Sequence, residues 1–322
     1  MSICGVTAGR GETARGFAAV PGSGVKIPLV LVNGERPGPS LLLTAGIHGA
    51  EYPGIAALSE LGQELDAREI AGAVIMLYPV NLQGFWKRCD FIVPDDEKNL
   101  NRVFPGSPRG TLAERTAYMM ISEFFPAADF YADLHSGDLH ENLCPHVYYP
   151  GQPDETVESK SKKMALTLDM KYMVRSLASG GAYNYAASTG LPSILVERGC
   201  MGLCPRFDVE AYKKDLLRLM HGLGMTENEP EPQQFVPKDM RNMKYLEAPR
   251  SGCWLEEAEC GAVIKKRRAA RTAARLLRRG RDCILRGIYR SSPLFVQRVR
   301  CARGRRACRI RRAGRGIISF ET

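Results

Sequence analysis

An α/β sandwich, with a mixed and mostly parallel sheet held between helices, is the fold that this sequence predicts. Three observations carry the expectation. Apolar runs and helical patterns alternate from about residue 25 to residue 224. The apolar runs are near-continuous, as in strands buried on both faces. The stretches between them are amphipathic with the helical period, which puts helices on both sides of the sheet. At 322 residues with 44% hydrophobic and 25% charged, the chain holds enough apolar material for one large core or two domains.

In order, KIPLVLV (26–32) and SLLLTAG (40–46) predict strands joined by a Pro/Gly turn, and EYPGIAALSELGQEL (51–65) predicts a helix. GAVIMLYPV (72–80) is a strand, LAERTAYMMISEFF (112–125) a helix and DFYADLH (129–135) a strand. VESKSKKMALTLDM (157–170) is a helix, PSILVE (192–197) a strand and VEAYKKDLLRLMHGLG (209–224) the closing helix of a catalytic domain spanning residues 1–225. TENEPEPQQFVP (226–237), acidic and Pro-rich, is expected as a linker. Residues 238–261 are expected to begin a small β module, and 262–322 form a basic, Arg-rich tail.

The net charge of +10 is unevenly placed. Residues 1–261 hold 25 Lys and Arg against 33 Asp and Glu, whereas 262–322 hold 20 against 2. A nucleic-acid reading therefore rests on the tail alone. With Tyr289, Phe295 and Phe320 as its only aromatics, the tail lacks interleaved stacking groups and promises only nonspecific, salt-sensitive attraction. No apolar run approaches the roughly 20 residues that span a bilayer, and the N-terminal residues lack the apolar middle of a signal peptide. A cytoplasmic protein with no membrane partner is expected. Its ten cysteines then read as reduced thiols, and the Cys200/Cys204 and Cys253/Cys260 spacings match neither zinc knuckles nor redox pairs.

The chemistry gathers at strand ends, where α/β folds place their sites. LLLTAGIHGAEYPG runs a buried strand into a loop carrying His48 and Glu51, an H-x-x-E pair able to aim an imidazole and a carboxylate at one point. DFYADLHSGD runs a second strand into His135, which otherwise would only cap that strand. Three such ligands leave a fourth position for water, the arrangement of a catalytic zinc. PSILVERG ends a third strand on Glu197, a candidate general base; the alternative is a salt bridge to Arg198 or another surface cation. The stretch KRCDFIVPDDEKNLNRVFPGS places Arg88, Asn101 and Arg102 in a long loop. Arginines there can clamp a carboxylate or steady an oxyanion, and composition alone does not separate these roles from a solvated loop. LASGGAYNYAAS (177–188), with its glycines and tyrosines, is a candidate pocket lining or a packing helix. His140, His146 and His221 lack ligand spacing.

Taken in order, GIHGAE, NLNRVFPG, DLHSGD and VERG resemble the succinylglutamate desuccinylase/aspartoacylase family, a branch of the zinc carboxypeptidase clan, over roughly residues 25–225. The resemblance implies a zinc carboxypeptidase-like fold and one zinc ion per chain held by His48, Glu51 and His135. It implies Glu197 as general base and acid, Asn101 and Arg102 as binders of the substrate carboxylate, and Arg88 as the group polarising the scissile carbonyl, with Arg109 or Lys87 as substitutes for Arg88. The implied reaction is hydrolysis of the amide bond of an N-acyl amino acid or related small molecule. A carboxypeptidase-like action on peptides uses the same centre and is the competing reading.

In relatives a small β-rich module follows the catalytic domain, and YLEAPRSGCWLEEAECG resembles its opening. After Gly261 the expected alternation gives way to crowded Arg, Ala, Gly and Cys. Codons for Arg, Ala and Gly are phase shifts of one another in G+C-rich DNA, so a shifted reading frame from about residue 262 is favoured over a genuine basic arm. A missing module would bear on the pocket or on a homo-oligomer interface.

Overall fold

The computed structural model describes residues 1–151 and 154–241, Cys260 and Gly261, and further on the backbone of the short strands Met243–Leu246, Cys253–Glu256, Ile284–Gly287, Phe295–Arg298, Cys301–Ala302, Arg309–Ile310 and Gly316–Ser319. Of 262–322 only such strand backbone is described, so the expectation of a shifted frame lies outside the described residues.

Nine strands form the main sheet: β1 (Glu12–Ala19), β2 (Lys26–Asn33), β3 (Arg36–Ala45), β4 (Ala71–Leu77), β5 (Phe130–His135), β6 (His146–Pro150), β7 (Tyr172–Ser176), β8 (Ser193–Glu197) and β9 (Lys238–Met240). Their spatial order is β9-β7-β6-β8-β5-β3-β4-β2-β1. The central four, β8, β5, β3 and β4, are parallel. β2 is antiparallel to β4 on one side, and β6 is antiparallel to β8 on the other. The sheet is therefore mixed with a parallel centre, as expected. Strands 26–32, 40–46, 72–80, 129–135 and 192–197 all lie in it.

Both faces are covered, which is why the strand sequences are apolar throughout. One face carries Leu41, Leu43, Ala132, Leu134, Ile194 and Val196 and packs under α1 (Tyr52–Glu64), α4 (Glu155–Leu166) and α6 (Arg206–Gly222). The other carries Leu42, Tyr131, Tyr148 and Leu195 and packs under α3 (Leu112–Met119) and α5 (Ala182–Ser188). A short helix, α2 (Leu82–Lys87), lies beside the loop after β3. The helix starts follow capping chemistry: Asp154 accepts from the Thr156 and Val157 amides at the head of α4, and at the head of α3 the Glu114 carboxylate accepts from the Thr111 amide at 2.8 Å.

The segment 226–237, expected as a linker, is stitched to the domain. Arg218 Nε donates to the Glu231 carbonyl at 3.2 Å, and Asp169 Oδ1 accepts from the Gln234 and Phe235 amides at 2.9 and 2.8 Å. Lys238–Met240, expected to open a separate β module, instead extends the main sheet as β9, parallel to β7. Proline-rich composition keeps 226–237 out of a ladder, but carbonyls and carboxylates of the domain satisfy its polar groups.

Candidate metal centre and surrounding side chains

The loop after β3 is shaped by two glycines. Gly46 sits at φ +74°, and a Cβ there would lie 2.8 Å from Ile55 Cδ1, so only glycine turns the chain out of the strand. Gly49 touches α2 so closely that a Cβ would lie 2.2 Å from the Gly84 carbonyl carbon. Between and beyond them stand His48 and Glu51, both buried, with Glu51 at the N-cap of α1 but making no cap bond with its side chain. Its carboxylate faces the histidines instead. His48 Nδ1 is 2.7 Å from Glu51 Oε1, and His48 Nε2 is 3.2 Å from Asn99 Oδ1.

His135 closes β5 and is also buried. Its Nε2 lies 2.9 Å from Asp133 Oδ2, and its Nδ1 lies 2.8 Å from Glu51 Oε2. A carboxylate only accepts, so Nε2 carries the proton given to Asp133 and Nδ1 faces Glu51. That Nδ1 makes no hydrogen bond although it is buried. A ring nitrogen and a carboxylate oxygen brought together without hydrogen-bond alignment are ligand-type atoms disposed for a cation between them. The donor atoms of His48, Glu51 and His135 all lie within 4.8 Å of one another. Nitrogen and carboxylate donors of this kind suit zinc, and the outward bonds of both rings, to Asn99 and Asp133, fix ring orientation from behind. The residues present therefore fit a metal ion. Buried Asp138 and Glu141 place carboxylate oxygens within the same distance of Glu51, an all-oxygen set beside the nitrogen-bearing one.

Charges in this site act strongly because water is excluded. Burial alone would raise the Glu51 carboxyl, but the neighbouring His135 and His48 outweigh it and hold the group far below the usual carboxylate range. Burial would likewise lower His135, and the Asp133 and Glu51 carboxylates overcome it and raise the imidazole well above its ordinary value.

Glu197 ends β8, is buried, and pairs in register with His135 on β5 and with His146 on β6. The three form one row on one face of the sheet, about 4.8 Å apart strand to strand. The salt bridge to Arg198 that the sequence left open does not form. Strand alternation turns Arg198 to the other face, where it binds Asp215 of α6 at 2.5 Å. From α6, the buried Tyr212 hydroxyl reaches the carbonyls of His135 and Val196, tying the ends of β5 and β8 together.

Asn101 is buried, but its Oδ1 accepts from the Ala182 amide at 2.8 Å. It anchors the start of α5 against the loop, bringing Gly180, Gly181 and the 177–188 segment to this region. Arg102 is exposed, with one guanidinium nitrogen 2.6 Å from the Asn101 carbonyl. Arg88 is exposed in the left-handed conformation that ends α2. The structure thus brings the three ligand candidates together, sets Glu197 beside His135 on the adjoining strand, and leaves both arginines on the surface. Asp133 and Asn99 escaped the sequence reading; D-x-H on a strand, which puts both side chains on one face, was the signal for the first. His140 and His221 are exposed, and buried His146 donates from Nδ1 to the Cys144 carbonyl at 2.9 Å. Cys4, Cys89, Cys144, Cys200, Cys204 and Cys260 are unbridged.

The family described as "Succinylglutamate desuccinylase/Aspartoacylase catalytic domain" matches residues 37–221, more than half of the chain, including His48, Glu51, Arg88, Asn101, Arg102, His135 and Glu197. The chain belongs to this family. Among relatives of this desuccinylase/aspartoacylase chain is the N-alpha-acetyl-L-2,4-diaminobutyric acid deacetylase of Halomonas elongata, 28% identical over 245 residues, covering 74% of this chain and 68% of that protein. The fold is shared with the succinylglutamate desuccinylase/aspartoacylase of Rhodobacter sphaeroides, at TM-score 0.70 and 27% identity over 79% of this chain and 80% of that one. It is shared too with the product-bound ectoine utilization protein EutE (DoeB) of Ruegeria pomeroyi, at TM-score 0.71 and 26% identity, with 79% and 80% covered. Among the described residues of this family member, no helix is long and apolar enough to cross a membrane.

Proposed function

We propose that this chain is a zinc-dependent deacylase that hydrolyses the amide bond of N-acyl amino acids, with one ion per chain. The observation that carries the reading is the convergence of His48, Glu51 and His135 at two strand ends, with Glu197 beside His135 on the neighbouring strand of the same sheet face. The family match and the deacetylase relative support a small acylated amino acid as substrate. When bound, zinc supplies a Lewis acid and a water of lowered pKa at this centre. Glu197 takes the proton of the attacking water and returns it to the leaving nitrogen, so one carboxylate serves both transfers. Burial on a rigid strand end keeps it aimed. Arg88, at the end of α2, meets the negative charge that develops on the carbonyl oxygen, and Arg102 clamps the substrate carboxylate. Asn101, its oxygen committed to α5, serves the substrate by holding the pocket wall rather than by accepting from it.

Metal analysis of the purified protein joined to a hydrolysis screen tests this. One zinc per chain and release of amino acid from N-acetyl or N-succinyl amino acids are expected. Release from short peptides alone would establish the peptidase reading in its place.

A further inference from the structure

Behind His135 a chain of polar side chains runs into a layer that is otherwise apolar. Tyr131, Asp133 and His135 alternate along β5 and so share one face, and Thr44 on β3 sits opposite Asp133 in register. Thr44, Tyr131 and Asp133 are all fully buried. Thr44 Oγ1 lies 2.6 Å from Asp133 Oδ1 and 2.8 Å from the Tyr131 hydroxyl, while Asp133 Oδ2 lies 2.9 Å from His135 Nε2.

The acceptor-only carboxylate fixes every proton in this chain. Thr44 donates to Asp133, its oxygen then accepts from the Tyr131 hydroxyl, and His135 donates from Nε2 to the other carboxylate oxygen. Valine and phenylalanine would fill the same space without burying hydroxyls, so packing alone does not account for Thr44 and Tyr131. What the hydroxyls do is hold the Asp133 carboxylate turned toward His135, as a fully satisfied buried network can. Asp133 in turn holds the ring with Nδ1 toward Glu51.

We propose that Thr44 and Tyr131 are positioning residues that act through Asp133 on His135 and set how tightly the centre retains its metal. This rests on the reading of His48, Glu51 and His135 as metal ligands. Loss of the Thr44 hydroxyl leaves one Asp133 oxygen buried without its donor. The carboxylate is then free to rotate, and the His135 ring loses its fixed orientation.

The test is a zinc titration of chelator-stripped protein against a competing chromophoric chelator, with the melting temperature of the metal-free protein measured alongside. Partners one layer behind a ligand are worth about 10–100-fold in metal affinity, so Thr44→Val is expected to weaken zinc binding by about tenfold and Tyr131→Phe, one bond further out, by about threefold. Thr44→Ser, which restores the hydroxyl, is expected to return affinity to within about twofold of the parent. Should Thr44→Val not fold, Tyr131→Phe and Thr44→Ser carry the comparison. Lowered metal-free stability with unchanged zinc affinity in these variants would mean a purely structural role and overturn the inference. His135→Ala in the same titration separates the two readings: parental zinc affinity there overturns the ligand assignment itself, whereas lost affinity there with parental affinity in Thr44→Val overturns only the role of the chain behind it.

Discussion

Replacing Glu197 by Gln keeps size and hydrogen-bonding shape at the end of β8 but removes the ability to carry a proton. The variant is expected to fold and to bind zinc, while kcat falls by about 10²–10⁴-fold, the usual worth of a general acid and base. Metal content measured beside kcat checks it; near-normal turnover would move the base elsewhere. The two arginines should part company in the same assays. Arg102→Ala is expected chiefly to raise KM for substrates with a free carboxylate, because a clamp acts on ground and transition states alike. Arg88→Ala is expected chiefly to lower kcat, because an oxyanion contact strengthens as charge develops. Identical kinetic signatures would refute that division. At this scale the candidate ligands and Glu197 were legible because His135 and Glu197 end apolar runs and His48 and Glu51 follow one in the next loop, where a polar side chain is out of place unless it works. The partner of Arg198 was not, since Asp215 lies on a helix that only folding brings across the sheet. Nor was the direction of Asn101, whose oxygen turns to Ala182, distant in the chain.

Between elements, the contact of Gly49 with Gly84 is the tightest constraint near the site. A methyl group at position 49 would meet the Gly84 carbonyl carbon at 2.2 Å, which backbone cannot relieve without moving α2. Gly49→Ala is therefore expected to reduce stability by about 1–3 kcal/mol. By displacing Arg88 at the end of α2, it is also expected to lower kcat by up to about 10²-fold. Chemical denaturation and steady-state kinetics measure the two effects; parental values of both would show that α2 is free to shift. In the proposed reading a metal would join elements as well, linking the loop after β3 to the end of β5. Stripping it with a chelator is expected to lower the melting temperature by about 10 °C, from ligand linkage of about 4 kcal/mol when zinc exceeds its dissociation constant about a thousandfold. Restoration by added zinc, and absence of the effect in His135→Ala, are the checks. The strand and helix periods made most of these elements readable in advance. β1, β6, β7 and β9 were missed: β6, β7 and β9 are only three to five residues long, and β1, at the edge of the sheet, buries only Ala18.

For the molecule as a whole, the proposed catalytic residues and the main sheet that positions them lie within 1–241, ahead of the change in composition at about residue 262. The reading of 262–322 as shifted in frame is a proposal about the gene. Resequencing and translation of the neighbouring frame are expected to give an alternating apolar and polar continuation with turn glycines. If no such pattern appears there, the basic arm is native sequence. Charge supports the separation: the body is mildly acidic and the tail strongly basic, so no single charge balance describes both.

By itself the sequence determined the layered α/β architecture, the order of its elements and the strand-end position of each ligand candidate, because periodicity and the buried run are local properties of the chain. Tertiary structure alone decided the register that sets Glu197 beside His135, the face that sends Arg198 to Asp215, and the joining of Lys238–Met240 to the main sheet. It also decided the buried row from Tyr131 through Thr44 and Asp133 to His135. These depend on which strands become neighbours and in what register, and a shift of one residue would turn every side chain to the opposite face.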